Sequence, residues 1–126
     1  MSESILVVDD DAELAAAAVL FLTQAGYEAR SVGNGGAALV QLVDAPVDLV
    51  LMDIRMQGMD GVETLRRIRK SGNTVPVVMM TADGRPEVVR DVLATGGNGY
   101  LMKPFEPEEV IARVRKALDA AKIAPR

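Results

Sequence analysis

Leu49-Val50-Leu51-Met52-Asp53 is an unbroken apolar run that stops on a carboxylate. A strand with one wet face alternates apolar and polar side chains. A continuous run instead fits a strand covered on both faces, the usual state in a parallel sheet. Three other short runs have the same form. Ile5-Leu6-Val7-Val8 leads into Asp9-Asp10, Val77-Val78-Met79-Met80 into Thr81, and Tyr100-Leu101-Met102 into Lys103. A parallel sheet lines up the C-terminal ends of its strands along one edge, so these distant residues are expected to meet there. Three carboxylates, a hydroxyl and an ammonium at one place suit a divalent cation and an acyl phosphate. The coincidence of four runs carries this reading; no single run does.

The segments between the runs have helical character. Asp11 is placed to cap a helix from about Ala12 to Ala25, which Gly26 stops. Tyr27 to Val32 reads as a further strand, followed by a turn at Gly33-Asn34-Gly35-Gly36 and a short helix over Ala37 to Val43. Gly58 and Gly61 frame a loop after Asp53, and a helix continues to Lys70. Its end carries Arg66, Arg67, Arg69 and Lys70, read as a solvated face that complements the helix dipole. A strand over Pro76 to Met80, a helix over Pro86 to Ala94 and a strand over Gly99 to Lys103 follow. Pro107 opens a last helix with Val110, Val114 and Leu118 on its buried stripe, and the tail Lys122 to Arg126 reads as frayed. Strands alternating with helices imply an α/β sandwich around a doubly wound five-stranded parallel sheet with five helices. In such sheets a site forms outside the C-terminal edge where the strand order reverses.

The bulk properties narrow the function classes. The chain has 126 residues, room for one core, with 49% apolar and 25% charged residues. Its formal net charge of -4 disfavours direct binding to nucleic acid or an anionic membrane. There is no Cys, which excludes disulfides and thiolate chemistry, and no His. Any imidazole chemistry must therefore come from a partner. No apolar segment approaches the roughly 20 residues of a membrane span. Met1-Ser2-Glu3-Ser4 leads straight into a strand without a signal-like region, so a cytoplasmic protein is expected.

Residue by residue, Asp53 is the candidate nucleophile, since a carboxylate can attack phosphorus to give an aspartyl phosphate. Asp9 and Asp10 are adjacent acids whose mutual repulsion costs free energy unless a cation or a proton relieves it. Mg²⁺ is the natural one, because it prefers oxygen ligands. Lys103 can pair with a phosphoryl oxygen and offset its charge. Thr81 offers a hydroxyl donor, and Ala82 leaves room beside it. Tyr100 is one of four aromatic residues, with Phe21, Tyr27 and Phe105, and composition alone gives it only a packing role.

These stretches resemble the receiver domain of two-component response regulators over nearly the whole chain, 1–126 being read as one receiver domain. The matching segments are Ile5 to Asp11, Asp53-Ile54-Arg55-Met56 with Gly58-Met59-Asp60-Gly61, Met79 to Ala82, and Gly99 to Phe105. The resemblance implies a flavodoxin-like sheet of order 2-1-3-4-5. It implies a phosphorelay switch in which Asp53 accepts a phosphoryl group from a phosphohistidine on a histidine kinase or histidine phosphotransfer protein. It further implies Mg²⁺ bound by Asp10 and Asp53 directly, by Asp9 through water, and by the Arg55 backbone carbonyl. Lys103 would contact the phosphoryl group, with a cis peptide to Pro104. Thr81 would move toward the phosphate and Tyr100 turn inward, remodelling the face of the fourth helix, fifth strand and last helix for a downstream protein partner. The expected state is a monomer or a weak phosphorylation-dependent dimer, and the activity is that of a phosphoacceptor rather than an enzyme.

One position departs from the family pattern. Gln57 stands where Pro is usual, which restores a backbone N–H and is expected to loosen the loop and weaken Mg²⁺ binding. Arg55 and Asp83 should border the pocket and form a partial gate against water. A stand-alone switch is the first reading of the chain's length; a receiver excised from a longer regulator, with Ala124-Pro125-Arg126 as the start of a linker, is the alternative. A phosphatase of the haloacid dehalogenase type also uses a strand-end Asp, but it needs a second Asp where Arg55 stands, and arginine cannot exchange that proton. A purely structural receiver would have no reason to keep Asp9, Asp10, Asp53, Thr81 and Lys103 together.

Overall fold

The computed structural model describes residues 2–123. Strands and helices alternate along them as β1 (Ser4–Val8), α1 (Ala12–Gln24), β2 (Glu28–Val32), α2 (Gly35–Asp44), β3 (Leu49–Asp53), α3 (Gly61–Lys70), β4 (Val77–Thr81), α4 (Pro86–Thr95), β5 (Gly99–Met102) and α5 (Pro107–Ile123). The strands form one parallel sheet in the order β2-β1-β3-β4-β5, the flavodoxin-like order expected. The order reverses between β1 and β3, where the acids lie.

Both faces of the sheet are covered over β1, β3 and β4, whereas the edge strand β2 is largely exposed. Alternate strand residues point to opposite faces. Ile5, Val7, Leu49, Leu51, Val78 and Met80 meet Ala15, Ala18 and Leu22 of α1 and Val110, Val114 and Leu118 of α5. Leu6, Val8, Val50, Met52, Val77 and Met79 pack in the opposite layer with residues of α2, α3 and α4. β3 and β4 are buried at every position, as their unbroken apolar runs require. Each large side chain so buried contributes about 1.5–3 kcal/mol, which holds the sheet edge in a fixed geometry.

The helix ends refine the sequence boundaries. Asp11 caps α1, accepting from the N–H groups of Glu13 and Leu14 at 3.1 and 3.2 Å. The expected turn at Gly33-Asn34-Gly35-Gly36 is shorter: Asn34 caps α2 by accepting from the Ala37 N–H at 2.8 Å, and Gly35 and Gly36 are already helical. A capping side chain satisfies a free helical N–H and so advances the helix start. The basic end of α3 is only partly a solvated face. Arg66 and Arg67 pair with Glu63, but Arg69 turns inward and donates to the carbonyls of Gly96 and Asn73 and to Asn98 Oδ1. That inward guanidinium ties α3 to the α4–β5 connection. Of the tail read as frayed, Lys122 is helical, and the linker reading at 124–126 lies outside the described residues.

Candidate functional site

The strand register brings the candidate residues together. Val8 lies opposite Met52, Asp53 opposite Met80, and Thr81 opposite Met102. Asp9, Asp53, Thr81 and Lys103 therefore emerge on one edge, with β3 ending one residue beyond β1, β4 one beyond β3, and β5 level with β4. Asp9, Asp53 and Thr81 are buried, whereas Asp10 is exposed. One oxygen from each of Asp9, Asp10 and Asp53 lies within 4.8 Å of the others. An all-oxygen donor set of this charge fits a hard divalent cation rather than a thiophilic one.

Each carboxylate has its own support. Asp9 accepts from the Asp11 N–H at 2.9 Å through Oδ1 and from Lys103 Nζ at 2.9 Å through Oδ2. Lys103 Nζ also lies 3.4 Å from Asp53 Oδ1. Asp10 Oδ2 accepts from the Gln57 backbone N–H at 3.1 Å. Burial pushes the Asp53 carboxyl above its ordinary value; the Lys103 ammonium pulls it back and the Asp9 charge pushes it up again. For Lys103 burial acts downward, but the hydrogen bond to Asp9 and the charges of Asp53 and Asp9 outweigh it, and the net direction is up. The lysine thus remains an ammonium, available to offset charge at Asp53. The Lys103–Pro104 peptide is cis.

On the other side of Asp53 the Thr81 hydroxyl is already engaged. It accepts from the Asp83 N–H at 2.8 Å and donates to the Asp83 carbonyl at 3.1 Å. The Asp83 carboxylate is in turn held by the Arg85 guanidinium, with Nη2–Oδ2 at 2.6 Å and Nε–Oδ1 at 2.9 Å. Arg85 holds the Asp83 carboxyl down at about 2. The expected Arg55–Asp83 pair exists only at 3.9 Å, with Arg55 reaching into solvent. Arg85 is therefore the main partner of Asp83, and the sequence reading did not single it out. The signal was the Asp83-Gly84-Arg85-Pro86 turn, where residues two apart on a tight bend share one side. Ala82 is exposed beside Thr81, and a cleft of about 1060 Å³ lined by Asp10, Arg55, Gln57, Thr81, Asp83 and Arg85, among others, opens here. Tyr100 is half-buried on β5, with the Arg113 guanidinium of α5 lying 5.5 Å from its ring centre.

Backbone packing fixes the loop after Asp53. Gly61 approaches the Asp53 carbonyl so closely that a Cβ there would collide with it, and its N–H donates to the Ile54 carbonyl at 2.8 Å. Met56 is buried in the layer beneath α3 and ties the loop down one residue before Gln57. Among the described residues no helix is long and apolar enough to cross a membrane.

Comparison with known proteins agrees with this geometry. The family model for the response regulator receiver domain matches residues 5–115. The chain is similar to the DNA-binding response regulator MtrA of Mycobacterium tuberculosis, 41% identical over 118 residues, which are 94% of this chain and 51% of that protein. Among solved structures it is similar to the chemotaxis response regulator CheY4 of Vibrio cholerae, with a TM-score of 0.88 and 28% identity over 93% of this chain and 99% of that one. It is also similar to NtrX of Brucella abortus, with a TM-score of 0.91 and 31% identity over 98% of this chain and 29% of that one. The chain spans about half the length of the curated relatives it matches.

Proposed function

The chain belongs to the response regulator receiver domain family, and on that premise we propose that residues 1–126 form one receiver domain whose phosphoacceptor is Asp53. The family is one of signalling domains that take a phosphoryl group from a histidine kinase or a histidine phosphotransfer protein. An Asp53 carboxylate oxygen attacks the phosphorus of a partner phosphohistidine. The new P–O bond forms as the P–N bond breaks, and the electron pair returns to the partner's imidazole. This chain contains no His of its own.

The observation that carries the reading is a buried Asp53 with an ammonium at 3.4 Å and two more carboxylates within 4.8 Å. Asp9, Asp10 and Asp53, with the Arg55 carbonyl, would hold Mg²⁺. That ion, when bound, supplies positive charge for the arriving phosphoryl oxygens. Lys103, with Nζ 3.4 Å from Asp53 Oδ1, supplies a second positive charge. For Thr81 to reach an arriving phosphate its hydroxyl must leave Asp83, and Tyr100 follows by turning inward. The face of α4, β5 and α5 then changes shape for a downstream protein, with the protein monomeric or in a weak phosphorylation-dependent dimer. Arg55, Ala82 and Asp83 tune access to the pocket, with Arg85 holding Asp83 in place.

A second reading, that this receiver regulates an output domain in a longer protein such as a DNA-binding regulator, is favoured by the half-length coverage of the curated relatives. The mass of the protein made from the intact reading frame separates the two readings. The acceptor itself is tested by incubating the chain with a small phosphodonor and Mg²⁺ beside Asp53→Ala. Acid-labile, Mg²⁺-dependent label on the wild type alone is expected, and equal label on the variant would sink the assignment.

A further inference from the structure

Asp10 stands apart from the other two acids in what holds it. Asp9 is bonded through both oxygens, and Asp53 has the Lys103 ammonium beside it. Among the described residues, Asp10 is exposed and its side chain has one hydrogen-bond partner, the backbone N–H of Gln57 at 3.1 Å. The two residues are 47 positions apart, so this is a tertiary contact and not a local turn. The buried Met56 side chain fixes the loop just before that amide, and Gly58, at φ +78°, turns the chain just after it. The N–H is thus presented by an anchored segment.

An exposed aspartate without such a bond is free to rotate into water, away from two like charges. Ordering it at the moment a cation arrives costs side-chain entropy. We propose that the Gln57 backbone N–H is a positioning group for the divalent-cation site, holding Asp10 toward Asp9 and Asp53 before the cation binds. The inference rests on the assignment of the three acids to that cation. A carboxylate has two oxygens and about four acceptor positions, so accepting one N–H leaves capacity for a metal. A proline at 57, the residue usual in the family, has no N–H to give. The sign is therefore opposite to the one the sequence suggests: here the amide strengthens the site, and proline would weaken it.

The experiment titrates Mg²⁺ alone into the metal-free full chain by calorimetry, comparing wild type, Gln57→Ala, Gln57→Pro and Asp10→Asn. Gln57→Ala keeps the amide and is expected to bind within about twofold of wild type. Gln57→Pro is expected to bind about tenfold more weakly, the low end of the range for groups that orient a metal ligand. Affinity of Gln57→Pro equal to or above wild type overturns the inference, and so does a Gln57→Ala as weak as the proline variant, which would place the effect in the side chain. Asp10→Asn separates this from failure of the site itself: if it binds Mg²⁺ as wild type does, the cation assignment falls and the inference with it. A readout independent of any change at 57 is the Gln57 amide proton in cation-free protein. It is expected to move upfield in Asp10→Ala, which leaves no acceptor at that position, and an unmoved resonance overturns the hydrogen bond's role.

Discussion

The Lys103 ammonium lies closer to Asp9, at 2.9 Å, than to Asp53, the proposed acceptor, at 3.4 Å. Without a cation it is the positive charge that keeps two buried carboxylates compatible. Removing one member of a buried, hydrogen-bonded pair leaves the other charge uncompensated, at a cost of about 3–5 kcal/mol. Lys103→Met is therefore expected to lower stability by about 3 kcal/mol at pH 7 in a chelator, since the lysine is not fully buried. Saturating Mg²⁺ should reduce that deficit. Urea denaturation with and without Mg²⁺ measures both; equal deficits would mean that the lysine and the cation do not share a role.

Asp53 makes the opposite prediction. Burial raises its folded-state value above the ordinary 3.8, so its neutral form is the one the fold favours. The stability it contributes is fully present below about 3.8 and is lost as pH rises through the raised value. At neutral pH without a cation the buried charge is a net cost, so Asp53→Asn should be more stable than wild type by about 1 kcal/mol, a usual margin for neutralised functional sites. The advantage should shrink as pH falls toward 4, where the wild-type carboxyl becomes neutral as well. Melts at pH 7, 5 and 4 check this, and an advantage independent of pH would assign it to packing instead.

Asp83 titrates in the other direction. Arg85 holds its carboxyl down at about 2, so the pair contributes above the ordinary value of 3.8 and is lost only as pH falls through about 2. The clasp is therefore intact at every physiological pH and is not a pH switch. In Arg85→Ala the Asp83 carboxyl should return toward 3.8, whereas Arg55→Ala should leave it nearly where it is, because that contact is long and solvated. Carboxyl ¹³C titration by NMR distinguishes the two. A larger effect from Arg55 would restore the simpler two-residue gate.

Gly61 and Gly58 should respond differently to alanine although they frame the same loop. At Gly61 a Cβ meets the Asp53 carbonyl, Met79 Cε at 2.7 Å and Ile54 Cα at 2.9 Å, with backbone on one side that cannot give way. Gly61→Ala is expected to cost about 2–3 kcal/mol, as overpacking does, and, if Asp53 is the acceptor as proposed, to impair labelling by displacing its backbone. At Gly58 nothing lies within 4 Å and only the positive φ opposes a side chain. Gly58→Ala should cost about 1 kcal/mol and spare labelling. Denaturation midpoints beside phosphodonor labelling test the pair; equal losses would remove the link between Gly61 and Asp53.

The sequence alone determined the central strands and the identity of the acids, because burial on both faces writes itself as unbroken apolar runs such as Leu49 to Met52 and Val77 to Met80. It also located Asp9, Asp10, Asp53, Thr81 and Lys103, since the end of a parallel strand is readable where an apolar run stops. What it did not reveal was which polar group each of these touches. Asp10 to Gln57 spans 47 residues, Lys103 to Asp9 spans 94, and Arg69 reaches 27 residues on to Gly96. Hydrogen bonds at such separations depend on loop path and side-chain direction, which leave no periodic trace in composition. Only the tertiary structure decided that Arg85 rather than Arg55 is the main partner of Asp83, that Arg69 points inward, and that the N–H of Gln57 has an acceptor in Asp10. Hydrophobic patterning repeats along a strand or helix and can be read locally; a polar contact is a single event in space, fixed only once the packed elements bring its two ends together.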